Sequence, residues 1–326
     1  MNDVFSMSYL SFGNTSKYIE QVDKTKGNLN MVAPNYFELK PQGTLKITSQ
    51  CDPVFIRHMH ERGITVVPFL SNHWDRGLGR AALAERTLLA GQCADFIAMN
   101  DLDGVNIDLE NVTDADREAY TDFVRQLRER IPAPKEVSVA VAANPNGWTK
   151  GWHGSYDYAE LAKYADYLLI MAYDESYTGG PEGPVAGYRW VERAIHYALM
   201  KGVPPEKIVL GIPFYGRYWK IGQAVGGIGI SNKRVDELIG QYGGTVIFDD
   251  TAKSPRAVMT ISGGSIPAPV AGKVLTPGTY HIWYENNDSI RAKLSLRRQY
   301  NLKGIGSWSL GQENPSLWQS YRFWIQ

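Results

Sequence analysis

The feature that most restricts the fold is a repeated pattern of short apolar runs, each followed by a loop and a stretch with helical periodicity. Eight such runs occur along the 326-residue chain, at 4–10, 29–36, 64–70, 104–110, 137–144, 167–174, 208–215 and 304–310. This alternation predicts an α/β protein with a parallel sheet, and eight units predict a TIM (β/α)8 barrel. An open, doubly wound sheet is the main alternative. The glycine-rich segment 225–231 does not favour it, because the segment lacks the GxGxxG spacing.

The interval between the seventh and eighth runs is unusually long. It contains roughly ninety residues, too many for one loop in a compact domain. Segments 245–250, 257–262 and 279–285 within it have strand-like composition and are separated by Gly, Pro and Ser. We therefore predict a small α+β insertion subdomain at 219–284, between strand seven and its following helix. Residues 1–218 and 285–326 would form the barrel.

Composition excludes several classes of partner. Lys plus Arg and Asp plus Glu both total 34, so the balanced charge gives no reason to expect nucleic acid or a membrane surface. No apolar run approaches the roughly 20 residues needed to cross a bilayer, and no export signal is visible. The two cysteines and six histidines form no recognisable ligand pattern, so no metal and no other cofactor is predicted. Because the first strand-like run starts close to Met1, we expect the chain to begin at a domain edge.

The fourth run, DGVNIDLEN at 103–111, places three polar side chains in a row. Side chains alternate along a strand, so Asn106, Asp108 and Glu110 share one face and the apolar residues between them share the other. In a barrel the polar row would enter the interior, where charges without partners are costly. A hydrogen-bond network that only fixes the strand is one explanation, and a catalytic site at the strand end is favoured. Asp103 has the opposite parity, so it lies before the strand or reaches the interior through a bulge at Gly104.

Glu110 is the last polar residue in the row and the nearest to the expected strand end, so we assign it a general acid–base role. Asp108 lies two residues earlier, which strand spacing converts to a distance of about 7 Å. Repulsion between two carboxylates this close raises the pKa of at least one of them. A protonated acid near neutral pH is therefore expected at this position.

The sequence DGVNIDLE resembles the DxxDxDxE signature of family 18 glycoside hydrolases, the chitinase-like TIM barrels. Three further matches follow in the family's order: MAYD at 171–174, GIPFYGRYW at 211–219, and GSWSLGQE at 306–313. Segments 35–47 and 283–313 look most like the bacterial spore peptidoglycan N-acetylglucosaminidases, which often carry glycan-binding modules. The resemblance implies association with the spore or cell wall, and such modules are expected to lie outside this chain.

The resemblance also implies a retaining hydrolase that uses the substrate as its own nucleophile. Carboxylates side by side on one strand approach a glycosidic bond from one side, whereas ordinary retaining hydrolysis needs them flanking it. In this family the carbonyl oxygen of the 2-acetamido group attacks the anomeric carbon and gives an oxazolinium intermediate. By position, Glu110 would protonate the leaving oxygen and later activate water. Asp108 would orient the acetamide N–H, and Tyr173 would hydrogen-bond its carbonyl oxygen.

The resemblance assigns substrate contacts to Asp103, Asn106, Asp174, Tyr215, Arg217 and Trp308. Trp308 would form the apolar floor under the sugar ring. Non-proline cis peptide bonds are implied after Glu110 and Trp308. Asn106 departs from the family pattern, which has an acid there. We hypothesise that this amide keeps Asp108 ionised and changes the pH profile without abolishing activity.

Several functions fit these residues. The preferred one is hydrolysis of β-1,4-linked glycans that contain N-acetylglucosamine, with peptidoglycan of the spore cortex or cell wall as the first polymer and chitin oligosaccharide as the second. A chitinase-like lectin that binds without cutting is another class, although Glu110 is retained. Unrelated chemistry on the same fold is the third. Loops around Trp74, Trp148 and Trp152 could extend the groove, and their arrangement decides between exo and endo cleavage.

Overall fold

The computed structural model describes residues 4–326, and all eight apolar runs form strands in it. The strands are β1 (Phe5–Leu10), β2 (Met31–Pro34), β3 (Phe37–Leu39), β4 (Leu45–Ile47), β5 (Thr65–Val66), β6 (Phe69–Ser71), β7 (Gly104–Asp108), β8 (Glu136–Ala142), β9 (Tyr167–Met171), β10 (Ile208–Pro213), β11 (Tyr215–Lys220), β12 (Ile228–Ser231), β13 (Thr245–Asp249), β14 (Ser254–Ile261), β15 (Ala268–Val270), β16 (Lys273–Leu275), β17 (Gly278–Trp283) and β18 (Gly304–Trp308).

Helices alternate with these strands. The α-helices are α1 (Thr15–Lys24), α2 (Pro53–His60), α3 (Arg76–Ala84), α4 (Arg86–Met99), α5 (Arg117–Arg130), α6 (Tyr158–Tyr164), α7 (Tyr188–Met200), α8 (Asn232–Tyr242), α9 (Asn287–Gln299) and α10 (Tyr321–Ile325). Short 3-10 turns lie at Asp114–Asp116, Trp152–Ser155, Pro205–Lys207 and Pro315–Gln319. Within residues 4–326, none of these helices is both long and apolar enough to cross a bilayer.

The large sheet is curled and follows chain order. Its strand order is β4-β3-β6-β7-β8-β9-β10-β18-β1-β2-β5, and all pairs except the β3–β4 hairpin are parallel. The last long strand, β18, pairs with the first, β1. Consecutive parallel strands joined by helices agree with the α/β prediction, and the sequential order disagrees with the doubly wound alternative, in which the order reverses.

The third apolar run is split into β5 and β6. Pro68 lies between them and has no backbone N–H to donate to a neighbouring strand. Hydrogen bonds nevertheless continue through the gap: Val67 N donates to Val32 O at 3.0 Å, and Asn106 N donates to Pro68 O at 2.9 Å. Pro68 therefore divides the run into β5 and β6, but hydrogen bonds to the strands on both sides continue through 67–68.

Apolar side chains cover both faces of the curled sheet. Val105, Ile107 and Leu109 are fully buried in the cluster between the strands and the helices, where α5 contributes Phe123. A second cluster fills the inner face and contains Tyr9, Met31, Phe69, Tyr167 and Leu169, among others. The alternation predicted for 104–110 is therefore present, with the apolar row facing the helices.

A smaller antiparallel sheet follows β10. Its strand order is β12-β11-β17-β14-β13, and it has its own apolar cluster, which includes residues of α8. The three strands predicted within 245–285 correspond to β13, β14 and β17. Strand β11, which begins at Tyr215, pairs with both β12 and β17 and so belongs to the smaller sheet. The smaller sheet therefore begins four residues before the predicted boundary at 219.

Candidate active site

Strand β7 carries the polar row to the carboxyl end of the curled sheet. It packs closely on β8 at its start, where Gly104 has φ +148° and a Cβ atom there would lie 2.1 Å from Glu136 O. Only glycine adopts this conformation at such an approach without strain. The strand ends at Asp108, so Glu110 lies just beyond it and is only half-buried.

Asp108 and Glu110 form a coupled pair of acids. Burial raises the pKa of Asp108, and a hydrogen bond from Glu110 opposes that rise. Burial also raises the pKa of Glu110, and the nearby charges of Asp108 and Asp174 raise it further. The two carboxyl groups interact closely enough for each to influence the pKa of the other. Both acids therefore favour their protonated forms more than isolated carboxyl groups do, and Glu110, which lines the pocket, is the candidate proton donor.

The backbone around Glu110 is held from three sides. Asn72 Oδ1 accepts from Glu110 N at 2.8 Å, and Asn72 Nδ2 donates to Glu110 O at 2.7 Å. The hydroxyl groups of Tyr120 and Tyr156 donate to Leu109 O at 3.2 and 2.9 Å. The position of the Glu110 side chain is thus set by contacts outside its own strand.

Four of the predicted residues meet beside this pair. Tyr215 Oη donates to Asp174 Oδ1 at 2.6 Å, and Arg217 contacts the same oxygen through Nε at 3.1 Å and Nη2 at 2.7 Å. The ring of Tyr173 lies edge-to-face on Tyr215, with centroids 6.1 Å apart. Burial raises the pKa of Tyr173, and the charges of Tyr215, Asp108 and Glu110 add to the effect. Tyr173 is therefore a neutral phenol that can donate a hydrogen bond.

A pocket of about 740 Å³ opens next to Glu110. Aromatic residues form much of its wall: Trp74, Trp148, Trp152, His153, Tyr173, Tyr177 and Trp190. Trp74 and Trp152 are in edge contact at 4.9 Å, and His153 lies between Trp148 and Trp152 at 4.6 and 4.5 Å. Flat aromatic faces suit the C–H surface of a sugar ring. The three tryptophans expected to extend the groove do line this pocket.

Trp308 lies at the end of β18, on the inner cluster rather than among the residues that line the pocket. Its ring packs on Tyr9 at 5.2 Å and on Phe69 at 5.7 Å. The peptide bond after Trp308 is cis, as the resemblance implied. The bond after Glu110 is not among the cis bonds of residues 4–326. Asn111 instead has φ +63°, so this second expectation is wrong.

Asp103 and Asn106, like Trp308 and Tyr215, are not among the residues that line the pocket, and both lie farther back along β7 than Glu110. Asp103 lies at the start of β7, where its Oδ2 contacts His60 Nε2 and accepts from Val66 N, both at 2.7 Å. Asn106 is fully buried on the inner face, where it accepts from Tyr9 Oη at 2.8 Å and donates to Ser138 Oγ at 2.9 Å. Strand direction explains both placements, because each residue lies nearer the amino end of β7 than Glu110 does.

The hypothesis about Asn106 stays a prediction, and the structure shows which contacts its amide makes. Both ends of its amide are used by Tyr9 and Ser138 rather than by Asp108. Burial raises the pKa of Asp108, and the group that opposes this rise is Glu110 rather than Asn106. Any influence of Asn106 on Asp108 therefore acts through the absence of a second acid rather than through a direct hydrogen bond.

Sequence reasoning missed several residues of the site. Asn72 follows the short strand β6 directly, which is the signal that could have identified it, because polar residues at carboxyl ends of parallel strands gather at one edge. Glu175 follows Asp174 and lines the pocket, and its Oε2 accepts from Gly187 N at 2.6 Å. His153 belongs to no recognisable motif, so no sequence signal identified it. Burial lowers its pKa to about 4, so it faces the pocket as a neutral ring.

Comparisons with known proteins identify the family. Residues 12–313 match the family described as glycosyl hydrolases family 18. The chain is 32% identical over 231 residues to a protein named as a sporulation-specific glycosylase, YdhD of Bacillus subtilis (strain 168), covering 69% of this chain and 51% of that protein. It is 28% identical over 249 residues to the cortical fragment-lytic enzyme of the same strain, covering 74% and 54%. The chain thus spans about half the length of these curated relatives.

Solved structures match over nearly the whole chain. The chitinase from Chromobacterium violaceum ATCC 12472 superposes with a TM-score of 0.85 at 25% identity, covering 99% of both chains. The spore cortex-lytic enzyme SleL of Bacillus cereus has the same fold, with a TM-score of 0.83 at 24% identity over 99% of this chain and 74% of that one. The resemblance inferred from the four sequence motifs is confirmed. The chain has a chitinase-like α/β fold and belongs to family 18 of the glycosyl hydrolases.

Proposed function

We propose that this protein is a retaining glycosidase that cleaves β-1,4-linked glycans at N-acetylglucosamine and uses the 2-acetamido group of the substrate as the nucleophile. The observation that carries the proposal is the placement of Glu110 on the wall of an aromatic pocket with the buried acid Asp108 two residues before it, where burial raises the pKa of both carboxyl groups. Two acids side by side on one strand supply a proton donor and an anion on the same side of the substrate, so the attack must come from another group.

In the first step, Glu110 donates its proton to the glycosidic oxygen as the bond from that oxygen to the anomeric carbon breaks. The acetamido carbonyl oxygen forms a new bond to the anomeric carbon, which gives an oxazolinium ion. Asp108 accepts a hydrogen bond from the acetamide N–H and stabilises the positive charge, while Tyr173 donates to the carbonyl oxygen. Asp108 Oδ1 is buried without a hydrogen-bond partner among the described residues, so it is an acceptor suited to this N–H.

In the second step, ionised Glu110 takes a proton from water. The water oxygen bonds to the anomeric carbon, and the bond to the acetamido oxygen breaks, which restores the acetamide. Two inversions at one carbon give net retention. Asp174, held by Tyr215 and Arg217, lies where it can accept hydrogen bonds from hydroxyl groups of the same sugar.

The proposed polymer is peptidoglycan of the spore cortex or cell wall, and chitin oligosaccharide is the second candidate. Relatives named as a cortical fragment-lytic enzyme and as a sporulation-specific glycosylase support the first. The chitinase that superposes over 99% of both chains supports the second. Digestion of intact peptidoglycan, its muramic-lactam form and chitohexaose side by side, with product masses, distinguishes the polymers and also exo from endo cleavage.

We also propose that the curled sheet is a complete (β/α)8 barrel in which β5 and β6 act as one strand. The pairing of β18 with β1 and the hydrogen bonds on both sides of Pro68 support this closure. In the same proposal, 1–218 and 285–326 form the catalytic barrel and 219–284 the insertion subdomain. The separate apolar cluster of the smaller sheet supports that division.

The test of the proposed function compares the wild type with Glu110→Gln on a fluorogenic N-acetylglucosaminide and on chitohexaose. Loss of a general acid–base group lowers the rate by about 10²–10⁴-fold. Glu61→Gln is the matched control, because Glu61 is exposed at the end of α2. Equal product release by wild type and Glu110→Gln would remove the proposed catalytic role. Sugar binding without product release by the wild type would indicate a lectin instead.

A further inference from the structure

The side-chain amide of Asn72 makes the hydrogen bonds to the Glu110 backbone that a neighbouring strand would otherwise make. Strand β6 pairs with β7 in the register Phe69 with Asn106, Leu70 with Ile107 and Ser71 with Asp108. Beyond Ser71 the chain turns away, with φ +50° at His73 and +64° at Trp74. The backbone of β6 therefore makes no hydrogen bond to the backbone of Glu110, and the Asn72 side chain makes these bonds instead.

Both ends of this amide are fully used. Oδ1 accepts from Glu110 N at 2.8 Å, and Nδ2 donates to Glu110 O at 2.7 Å and to Asp75 O at 2.8 Å. Asn72 is fully buried. One side chain thus joins the backbone of the proposed acid to the turn that carries Trp74, a wall of the pocket. A second link, from Asn111 Nδ2 to Trp74 O at 2.9 Å, runs in parallel on the exposed side.

Helix α3 fixes the position of the Asn72 amide. Gly79 faces it, and a Cβ atom at Gly79 would lie 2.7 Å from Asn72 Nδ2 and 2.7 Å from Val112 Cγ1. Its backbone is helical, so the glycine is needed for space rather than for an unusual φ. The amide is thus packed directly against α3, as expected for a group that orients another.

We propose that Asn72 is a positioning residue that sets the direction of the Glu110 carboxyl group relative to the sugar in the pocket. This inference rests on the proposed function, in which Glu110 is the proton donor. Asn72 itself touches no reacting atom. Its loss would leave the pocket able to bind a glycan while misplacing the donor, so turnover would suffer more than binding.

The first test measures kcat and KM of Asn72→Ala on the fluorogenic N-acetylglucosaminide. A misplacement of the order of 1 Å costs about 100-fold in rate, so kcat is expected to fall by about that factor. KM is expected to change by less than about threefold, because an interaction that matters in the transition state alone is lost. Asn28→Ala is the matched control. Asn28 is also buried and donates to Thr25 O at 2.7 Å and Trp318 O at 3.0 Å, away from the pocket.

The second test keeps Asn72 unsubstituted and changes the glycine that packs against its side chain. Gly79→Ala pushes on the amide, whereas Gly91→Ala adds the same methyl group to α4, where nothing lies within 4 Å of it. Gly79→Ala is expected to lower kcat by about 10-fold or more, and Gly91→Ala is expected to leave it unchanged. If Asn72→Ala does not fold, this pair of variants decides the question.

The outcomes are separable from those of the proposed function. An active wild type with an inactive Glu110→Gln establishes the donor first. If kcat of Asn72→Ala and Gly79→Ala then stays within about twofold of the wild type, the positioning role is overturned while the function stands. A fall in kcat that Asn28→Ala reproduces at equal thermal stability would also overturn it. The inference is supported if kcat falls in Asn72→Ala and Gly79→Ala but not in the control variants Asn28→Ala and Gly91→Ala.

Discussion

At the scale of single residues, the proposed site keeps an acid in a place that is unfavourable for the folded chain. Asp108 is buried, its Oδ1 has no hydrogen-bond partner among the described residues, and its pKa is raised. A buried polar atom without a partner costs about 1–3 kcal/mol, and more when it is charged. A substrate N–H that donates to this oxygen would recover that cost on binding, which is a physical reason for recognition of the acetamido group.

Replacing Asp108 with Asn should therefore stabilise the protein in a pH-dependent way. A carboxyl group whose folded pKa lies above its unfolded value stabilises at low pH, and that contribution is lost as pH rises through the folded value. At pH 8, Asp108→Asn should increase the free energy of unfolding by about 1–3 kcal/mol. At pH 3, where the acid is protonated in both states, the difference should nearly vanish.

Urea unfolding at the two pH values measures this effect. Asp95→Asn is the control, because Asp95 is exposed on α4 and its substitution should change stability little at either pH. Destabilisation by Asp108→Asn at pH 8 would show that the buried carboxylate is better solvated than its surroundings suggest.

Asn106 sets a second pH-dependent prediction. Asn106→Asp would add an acid two residues before Asp108 on the inner face, in contact with Tyr9 and Ser138. A like charge disfavours ionisation of its neighbour, so the pKa of Asp108 should rise further. The acid limb of the kcat/KM profile should consequently move to higher pH while activity persists. A profile identical to that of the wild type would reject any electrostatic role for this position.

At the scale of elements, a buried ion pair links the segment after β17 to helix α9. Glu285 follows β17, Lys293 lies in α9, and both side chains are almost completely buried. Lys293 Nζ contacts Glu285 Oε1 and also donates to Ser254 Oγ at 3.1 Å. Burial raises the pKa of Glu285 and lowers that of Lys293, so each depends on the other to remain charged.

Breaking this pair from one side should be costly. Lys293→Met leaves Glu285 without its cation and should reduce the free energy of unfolding by about 3–5 kcal/mol. The double variant Lys293→Met with Glu285→Gln should regain most of that loss, since no buried charge is left. Lys163→Met, which breaks the exposed Lys163–Glu160 pair, should have little effect. Equal losses for the single and double variants, measured by urea unfolding, would contradict this account.

Boundaries of elements were harder to infer than their existence. Segment 80–100 reads as one helix, yet α3 ends at Ala84 and α4 begins at Arg86. Thr113 caps the turn before α5 as its residue type suggests, with its side chain accepting from Ala115 N. Local signals such as caps and prolines are visible in sequence. A break at a single residue, here Glu85 with φ −93° and ψ 15°, is not.

At the scale of the whole molecule, periodicity predicted the strands and their sequential parallel pairing, because each strand buries apolar side chains in a pattern that sequence records. The same rule placed Asp108 and Glu110 at the end of β7. It could not place Asn72, whose partner is 38 residues away on the neighbouring strand. Asp103 shows where the motif misleads. Its place in the signature suggested a sugar contact, but it lies at the amino end of β7, where it contacts His60.

The measurement that tests the central claim most directly compares two aryl β-glycosides with the same leaving group, one with a 2-acetamido group and one with a 2-hydroxyl. If the acetamido oxygen is the nucleophile, the wild type should hydrolyse only the first, and that activity should disappear in Glu110→Gln. Comparable kcat on both substrates would contradict the account, because the hydroxyl compound has no internal nucleophile and its cleavage would require another attacking group.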